Sequence, residues 1–469
     1  MVGGLDGQRM VIALLIGIVV LILLVLKTKI HAFVALIFSA VLIGLIGGMP
    51  IINTKLDDGT AFGIINSITK GFGNTLGSIG IIIGFGVMMG QIFEVTGAAK
   101  RMALTFLRVF GKNREEEALA ATGFVVSIPI FCDSGFIILA PIAKAISKAT
   151  KKSVISLGIA LAGGLVITHS LVPPTPGPLG VCGLYGIDVG KFILIGIVLS
   201  IPMAIACTAY ARYIGKKIYQ IPDENEESGF KRMPYQKPDY SGEAEIASEK
   251  LPGTFISFFP ILLPIVLILV ATITSALKLT SGGMAVFQFI GSPIVAVGLG
   301  LIFAVLVLGK DLTREQALKQ MEKGMASAGI IMLVTGGGGA LGQIIKDSGL
   351  GSYIAQGLVG SGLPIVLLPF LIATLIRFIQ GSGTVAMTTA ASITAAIVAE
   401  AGGNLYMAGL ACCVGSLFFS YFNDSYFWVV NRTLGVSDTR EQIRAYSITS
   451  TIAWAVGFVE IMILSIFFH

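Results

Sequence analysis

The sequence predicts an all-α polytopic membrane protein, and three observations carry that prediction. Hydrophobic residues make up 55% of the 469 and charged residues only 12%, about half the ~25% of a water-soluble domain. Apolar stretches recur from end to end, each near the ~20 residues a helix needs to cross a bilayer. Lysine and arginine collect in short segments between those stretches, as they do in cytoplasmic loops. The mean hydropathy of +0.89 agrees. A net charge of +6 distributed in this way is not the footprint of a nucleic-acid binder. Cys132, Cys182, Cys207, Cys412 and Cys413 fall in apolar segments without metal-ligand spacing, so they read as small buried hydrophobes. No metal and no cofactor is expected.

Met10 to Leu26 is followed directly by Lys27, Lys29 and a further apolar stretch, so it reads as a span and not as a cleaved leader. With the Lys27/Lys29 loop in the cytoplasm, residues 30–48 run outward and 75–95 return. Lys100, Arg101, Arg108, Lys112 and Arg114 then lie inside, as do Lys144, Lys148, Lys151 and Lys152. One crossing between these clusters would separate them, and two would need about 40 residues. The segment 117–150 is therefore expected to be a re-entrant hairpin, turning at mid-membrane around Cys132-Asp133-Ser134-Gly135. Irregular backbone at that depth persists only where it lines a cavity, so the hairpin predicts a site. Onward, 153–187 goes out, 190–211 returns, and 212–250 is a cytoplasmic loop. Residues 253–277 go out, 285–309 return, and 326–346 go out. A second hairpin over 351–400 enters from outside, 404–430 comes back in, and 445–468 exits.

An internal repeat supports the second hairpin. Gly84-Phe85-Gly86-Val87-Met88-Met89-Gly90-Gln91 aligns with Gly336-Gly337-Gly338-Gly339-Ala340-Leu341-Gly342-Gln343. Asp133-Ser134-Gly135 then falls opposite Gly381-Ser382-Gly383, and His169 to Pro178 opposite Ser420 to Val429. The copies, 1–211 and 251–469, run in opposite directions through the threading. The expected architecture is an inverted repeat with two re-entrant helical hairpins and unwound transmembrane helices. Secondary transporters are built this way, with substrate held where the broken elements meet. The glycine runs lack the spacing of nucleotide loops and read as helix-packing positions.

Charge inside a bilayer is costly and marks function. Asp133, at the first hairpin turn, is the leading proton-coupling candidate; its structural alternative is a carboxylate that only caps a half-helix. Asn423-Asp424 occupies the matching place in the second repeat and supplies the second carboxylate. Thr168 to Pro178 cannot be continuous helix, because its prolines remove donors and clash. It reads as an unwound stretch within the 153–187 span, offering Pro174 and Thr175 to a substrate. His169 beside it carries a proton near neutral pH, donates to substrate, or packs neutral against backbone. Ser134, Gly135, Ser382, Gly383 and Thr384 supply hydroxyls and N–H groups at helix starts, where anions bind. Arg377 could hold a substrate carboxylate or pair with Asp424. Glu94, Asp347 and Glu400 lie near span ends, where solvation is expected.

These motifs together resemble the gluconate:proton symporter (GntP) family of the ion transporter superfamily. The resemblance runs from about Lys27 to the C-terminus. It rests on Gly71-Phe72-Gly73-Asn74-Thr75-Leu76-Gly77, on His169 with Pro173-Pro174-x-Pro176, on Gly381-Ser382-x-Thr384-Val385-Ala386, and on Asn423-Asp424 with Phe427-Trp428. It implies proton-driven uptake of gluconate or a related sugar acid across the inner (cytoplasmic) membrane. Superfamily relatives imply a homodimeric scaffold and an elevator-type transporter. The chain departs from similar gluconate carriers at Asp133, Thr175 and Gly383, where they have glutamate, histidine and alanine. Glycerate, fructuronate and D-serine therefore stand beside gluconate as substrates. Ser134, His169 and Asp424 could be drawn as a hydrolase triad, but no strand–turn–helix setting supports a nucleophile.

Overall fold

The computed structural model describes residues 6–28, 30–55, 61–223, 225–226, 229–238, 251–277, 282–350, 353, 364–421 and 423–467. The first half comprises α1 (Gly7–Lys27), α2 (Ala32–Gly47), α3 (Ile64–Thr96), α4 (Ala98–Phe110), α5 (Glu115–Val126), α6 (Cys132–Thr150), α7 (Val154–Leu171), α8 (Pro176–Tyr185) and α9 (Val189–Lys217). The second begins with α10 (Thr254–Ala276), α11 (Gly282–Ile290), α12 (Pro293–Phe303) and α13 (Arg314–Asp347). It continues with α14 (Leu367–Gln380), α15 (Gly383–Glu400), α16 (Leu405–Gly415), α17 (Ser425–Thr433), α18 (Thr439–Gln442) and α19 (Ile448–Phe467). Among the described residues, 8 helices are long and apolar enough to cross a membrane.

Local chemistry sets the helix ends. Ser153, Asp188 and Asn404 accept first-turn N–H groups with their side chains. Thr313 and Gln316 close a capping box at the start of α13. Gly97 and Gly186 end α3 and α8 in the left-handed conformation that glycine adopts without strain. Leu15, Val19, Phe255, Val266 and Ile463 turn large apolar side chains outward, as a surface solvated by lipid requires.

Two packing features position the site. α3 has 33 residues and α13 has 34, roughly 50 Å at ~1.5 Å per residue. That exceeds the ~30 Å hydrocarbon core, so both are long enough to cross it with tilt or to extend past its edges. The pair lies close because a Cβ at Gly71 would strike the Gly339 carbonyl, and one at Gly339 the Gly71 carbonyl. The second feature is α7, which is apolar all round because it is buried all round; of its residues only His169 is partly exposed. α5 and α6 pack on α7, and α14 and α15 pack on α16 in the same manner. Gly164 admits the Ala120 backbone at the first of these contacts.

Several expectations need correcting. The first helix pair turns at 127–131, and Asp133-Ser134-Gly135 forms the first turn of α6 instead of the link. The break in the 153–187 span is confined to Val172–Thr175. His169 is therefore helical, and Pro176 and Pro178 stand in the first turn of α8, where a missing N–H costs nothing. The 285–309 stretch is interrupted at Gly291-Ser292. The spans placed at 75–95 and 326–346 lengthen to α3 and α13. Strand pairing, unexpected in an all-α chain, occurs in two short ribbons: Thr54–Lys55 with Ala61–Phe62, and Gln220–Pro222 with Phe230–Arg232. Residues 351–352 and 354–363, at the start of the first arm of the 351–400 hairpin, and residues 239–250 of the cytoplasmic loop lie outside the described residues.

Candidate functional site

Three helices begin at one place. α6 opens at Cys132, α15 at Gly383 after the left-handed Gly381, and α17 at Ser425. A Cβ at Gly381 would run into the Asn423 backbone, so the chain turns there only with glycine. First-turn N–H groups have no helical acceptor, and the helix dipole puts positive charge at the same end. The Val385 N–H donates to Ser382 Oγ at 3.3 Å and the Tyr426 N–H to Asp424 Oδ1 at 3.1 Å. All three N-termini border a cavity of about 410 Å³, within the ~300–1,000 Å³ usual for small-molecule sites.

The two aspartates differ in how firmly they are held. Arg377, 5% exposed on the last turn of α14, donates from Nη2 to Asp424 Oδ2 at 2.6 Å. The Ser420 hydroxyl donates to the same oxygen. Asp424 is thus ion-paired, hydrogen-bonded and committed to capping α17. Arg377 keeps its Nε without a partner among the described residues. Among the described residues, the side chains that bond Asp133 are the Ser425 hydroxyl, at 3.3 Å, and Cys132 Sγ, at 3.9 Å. No lysine or arginine pairs with it among the described residues. The Ser425 bond links the first half of the chain to the second.

Asp133, His169, Arg377, Ser382, Gly383, Thr384, Asn423 and Asp424 all line this cavity. The His169 ring lies 5.7 Å from that of Phe131, and its Nδ1 has no partner among the described residues. Asn423 donates to the carbonyls of Phe378 at 3.1 Å and Ile379 at 3.3 Å, tying the chain before α17 to the end of α14. Ser134, Gly135, Pro174 and Thr175 stand apart from it. Gly135 is buried against Leu165. The Thr175 hydroxyl donates to the Val172 carbonyl at 2.6 Å, and Pro174 borders a small separate crevice beside Gly86. His169 and Asp424 share this cavity and Ser134 does not line it, so the three are not gathered as a triad.

Sequence reasoning missed several contributors. Ser420 and Ser425 bond the two aspartates, and Gln380 accepts from the Ser382 N–H at 3.2 Å. Ser450 accepts from the Ser420 N–H at 3.0 Å and brings α19 to the site. The signal for Ser420 was present, because it opens the segment aligned with His169.

A polytopic helical bundle in which three helix starts border a polar cavity is the form of a solute permease. Residues 9–467 match the GntP family permease. An uncharacterized permease of Haemophilus influenzae is 45% identical over 98% of this chain and 92% of its own length. The high-affinity gluconate transporter of Escherichia coli is 32% identical over 96% of this chain and 98% of its own. The fold is similar to that of the YdaH transporter of Alcanivorax borkumensis, with a TM-score of 0.63 at 14% identity, covering 97% of this chain and 98% of that one. The chain belongs to the GntP family of permeases and is a multi-pass protein of the cytoplasmic membrane. Its relatives are permeases, which places it among transporters and not among enzymes.

Proposed function

We propose that the protein carries gluconate or a related hydroxy acid across the membrane together with a proton, by alternating access. The observation that carries this reading is the convergence of three helix N-termini and Arg377 on one cavity beside the weakly held Asp133. The substrate carboxylate is assigned to the starts of α6 and α15 and to Arg377, which lines the cavity. Its hydroxyls are assigned to Ser382, Thr384, Ser425 and His169. With both aspartates ionised, the Asp133, Asp424 and Arg377 side chains sum to one negative charge. A substrate anion adds a second, and a proton on Asp133 cancels it. Acid and proton thus favour each other's binding, and that reciprocity is the coupling.

The homology to gluconate transporters supports the substrate class. A thermal-shift series tests it: at 100 times Kd, gluconate should add about 2.7 kcal/mol of stability. Glycerate, fructuronate and D-serine belong in the same series. A protein that none of these compounds stabilises would count against the reading.

The α5–α6 and α14–α15 pairs are assigned as the two re-entrant hairpins of a mobile unit, sliding against α3 and α13 within a homodimer. Cysteines introduced at the exposed positions Lys112 and Lys148 should then be labelled from one membrane face. The five native cysteines are buried and give a quiet background. Labelling from opposite faces would make α5–α6 a crossing and not a hairpin.

A further inference from the structure

A second polar cavity, of about 300 Å³, lies where α3, α13, α15 and the end of α8 meet. Asn74 and Ser78 line it from α3, Gln343 and Lys346 from α13, and Glu400 from the end of α15. Positions 71, 74, 75 and 78 form one face of α3, and 339, 342, 343 and 346 one face of α13. Both faces carry glycine where the helices touch, so the longer polar side chains stand over an open floor. Asn74 belongs to the Gly71–Gly77 motif, which the central cavity does not use.

The charges here are uncommitted. Lys346 and Glu400 are exposed, and neither forms an ion pair among the described residues. Asp347 is already held, accepting from Ser67 and from the cavity-lining Gln343 at 2.7 Å each. One free cation, one free carboxylate and neutral amide and hydroxyl groups complement a hydroxy acid. Lys346 suits its carboxylate, and Glu400, Asn74 and Ser78 suit its hydroxyls. The cavity also stands in line with the central one. α15 runs from Gly383 at the first cavity to Ser392 at the second, about 14 Å apart at ~1.5 Å per residue. Between them the fully buried Thr335 and Thr388 close over Gly180, where a Cβ would come within 2.9 Å of Thr388 and 3.1 Å of Thr335.

We propose that this cavity is an outer recruitment site, which binds the transported hydroxy acid before it reaches the central cavity. The proposal rests on the transport reading and on the outward orientation of the α15 C-terminus given by the loop charges. Labelled gluconate uptake by the full-length protein, in right-side-out and in inverted membrane vesicles, tests it. Lys346→Gln, and separately Asn74→Ala, should raise KM about two- to fivefold in right-side-out vesicles, the scale of one exposed charge contact. Vmax should hold, KM in inverted vesicles should hold, and Lys346→Arg should keep the wild-type KM. An unchanged KM, or an equal rise in both orientations, would overturn the outer site and leave the transport reading standing. Wild-type vesicles without saturable uptake would overturn both.

Discussion

Arg377→Gln is expected to abolish uptake and to cost about 3–5 kcal/mol of stability, because it leaves a buried carboxylate without its cation. Asp424 is 7% exposed, and among the described residues its other side-chain partners are the Ser420 hydroxyl and a backbone N–H. Neither supplies charge. Thermal unfolding of the purified protein reads the stability loss, and vesicle uptake reads the activity. The double variant Arg377→Gln/Asp424→Asn separates the two roles. With both charges gone, nothing ionised is left stranded, and most of the lost stability should return. Uptake should stay absent, since the guanidinium assigned to the substrate carboxylate is still missing. A double variant that recovers uptake as well would make Arg377 a structural cation only.

Asp133→Asn should end proton-driven accumulation and spare exchange. Asparagine keeps the size of the side chain and accepts the Ser425 hydroxyl as the aspartate does at 3.3 Å, but it cannot take up a proton. A one-proton symporter concentrates its substrate about tenfold for each pH unit imposed, and the variant should equilibrate only. Counterflow, which moves acid against acid without net proton movement, should continue. Wild-type pH dependence of accumulation in Asp133→Asn would transfer the proton to another group.

Much of this arrangement was legible in the sequence, for identifiable reasons. Apolar length and loop charge locate spans because the bilayer imposes both. The helix break at Val172–Thr175 and the turn at Gly381-Ser382 were visible because proline and glycine restrict backbone locally. The turn of the first helix pair was misplaced by a few residues for the same kind of reason. The polar run at Asp133 drew attention, while Pro129 in the 127–131 link, which lacks an N–H for a helix to use, was the better marker.

What the sequence could not supply were the partners. Arg377 and Asp424 lie 47 positions apart and Ser425 and Asp133 lie 292 apart, and only packing decides that they meet. The sequence left Arg377 between substrate and Asp424. The structure gives Nη2 to Asp424 and leaves the buried Nε without a partner among the described residues. Asp347, expected to be solvated at a span end, instead bonds Ser67 across to α3. Nothing in local composition distinguishes those outcomes.

The most direct test of the account is uptake of labelled gluconate into proteoliposomes of the purified protein with and without an imposed inward proton gradient. Saturable accumulation above the external concentration is expected only with the gradient, and it should be abolished by a protonophore and by Asp133→Asn. Uptake that stays downhill and non-saturating whatever the gradient, or chemical turnover of the gluconate, would contradict it.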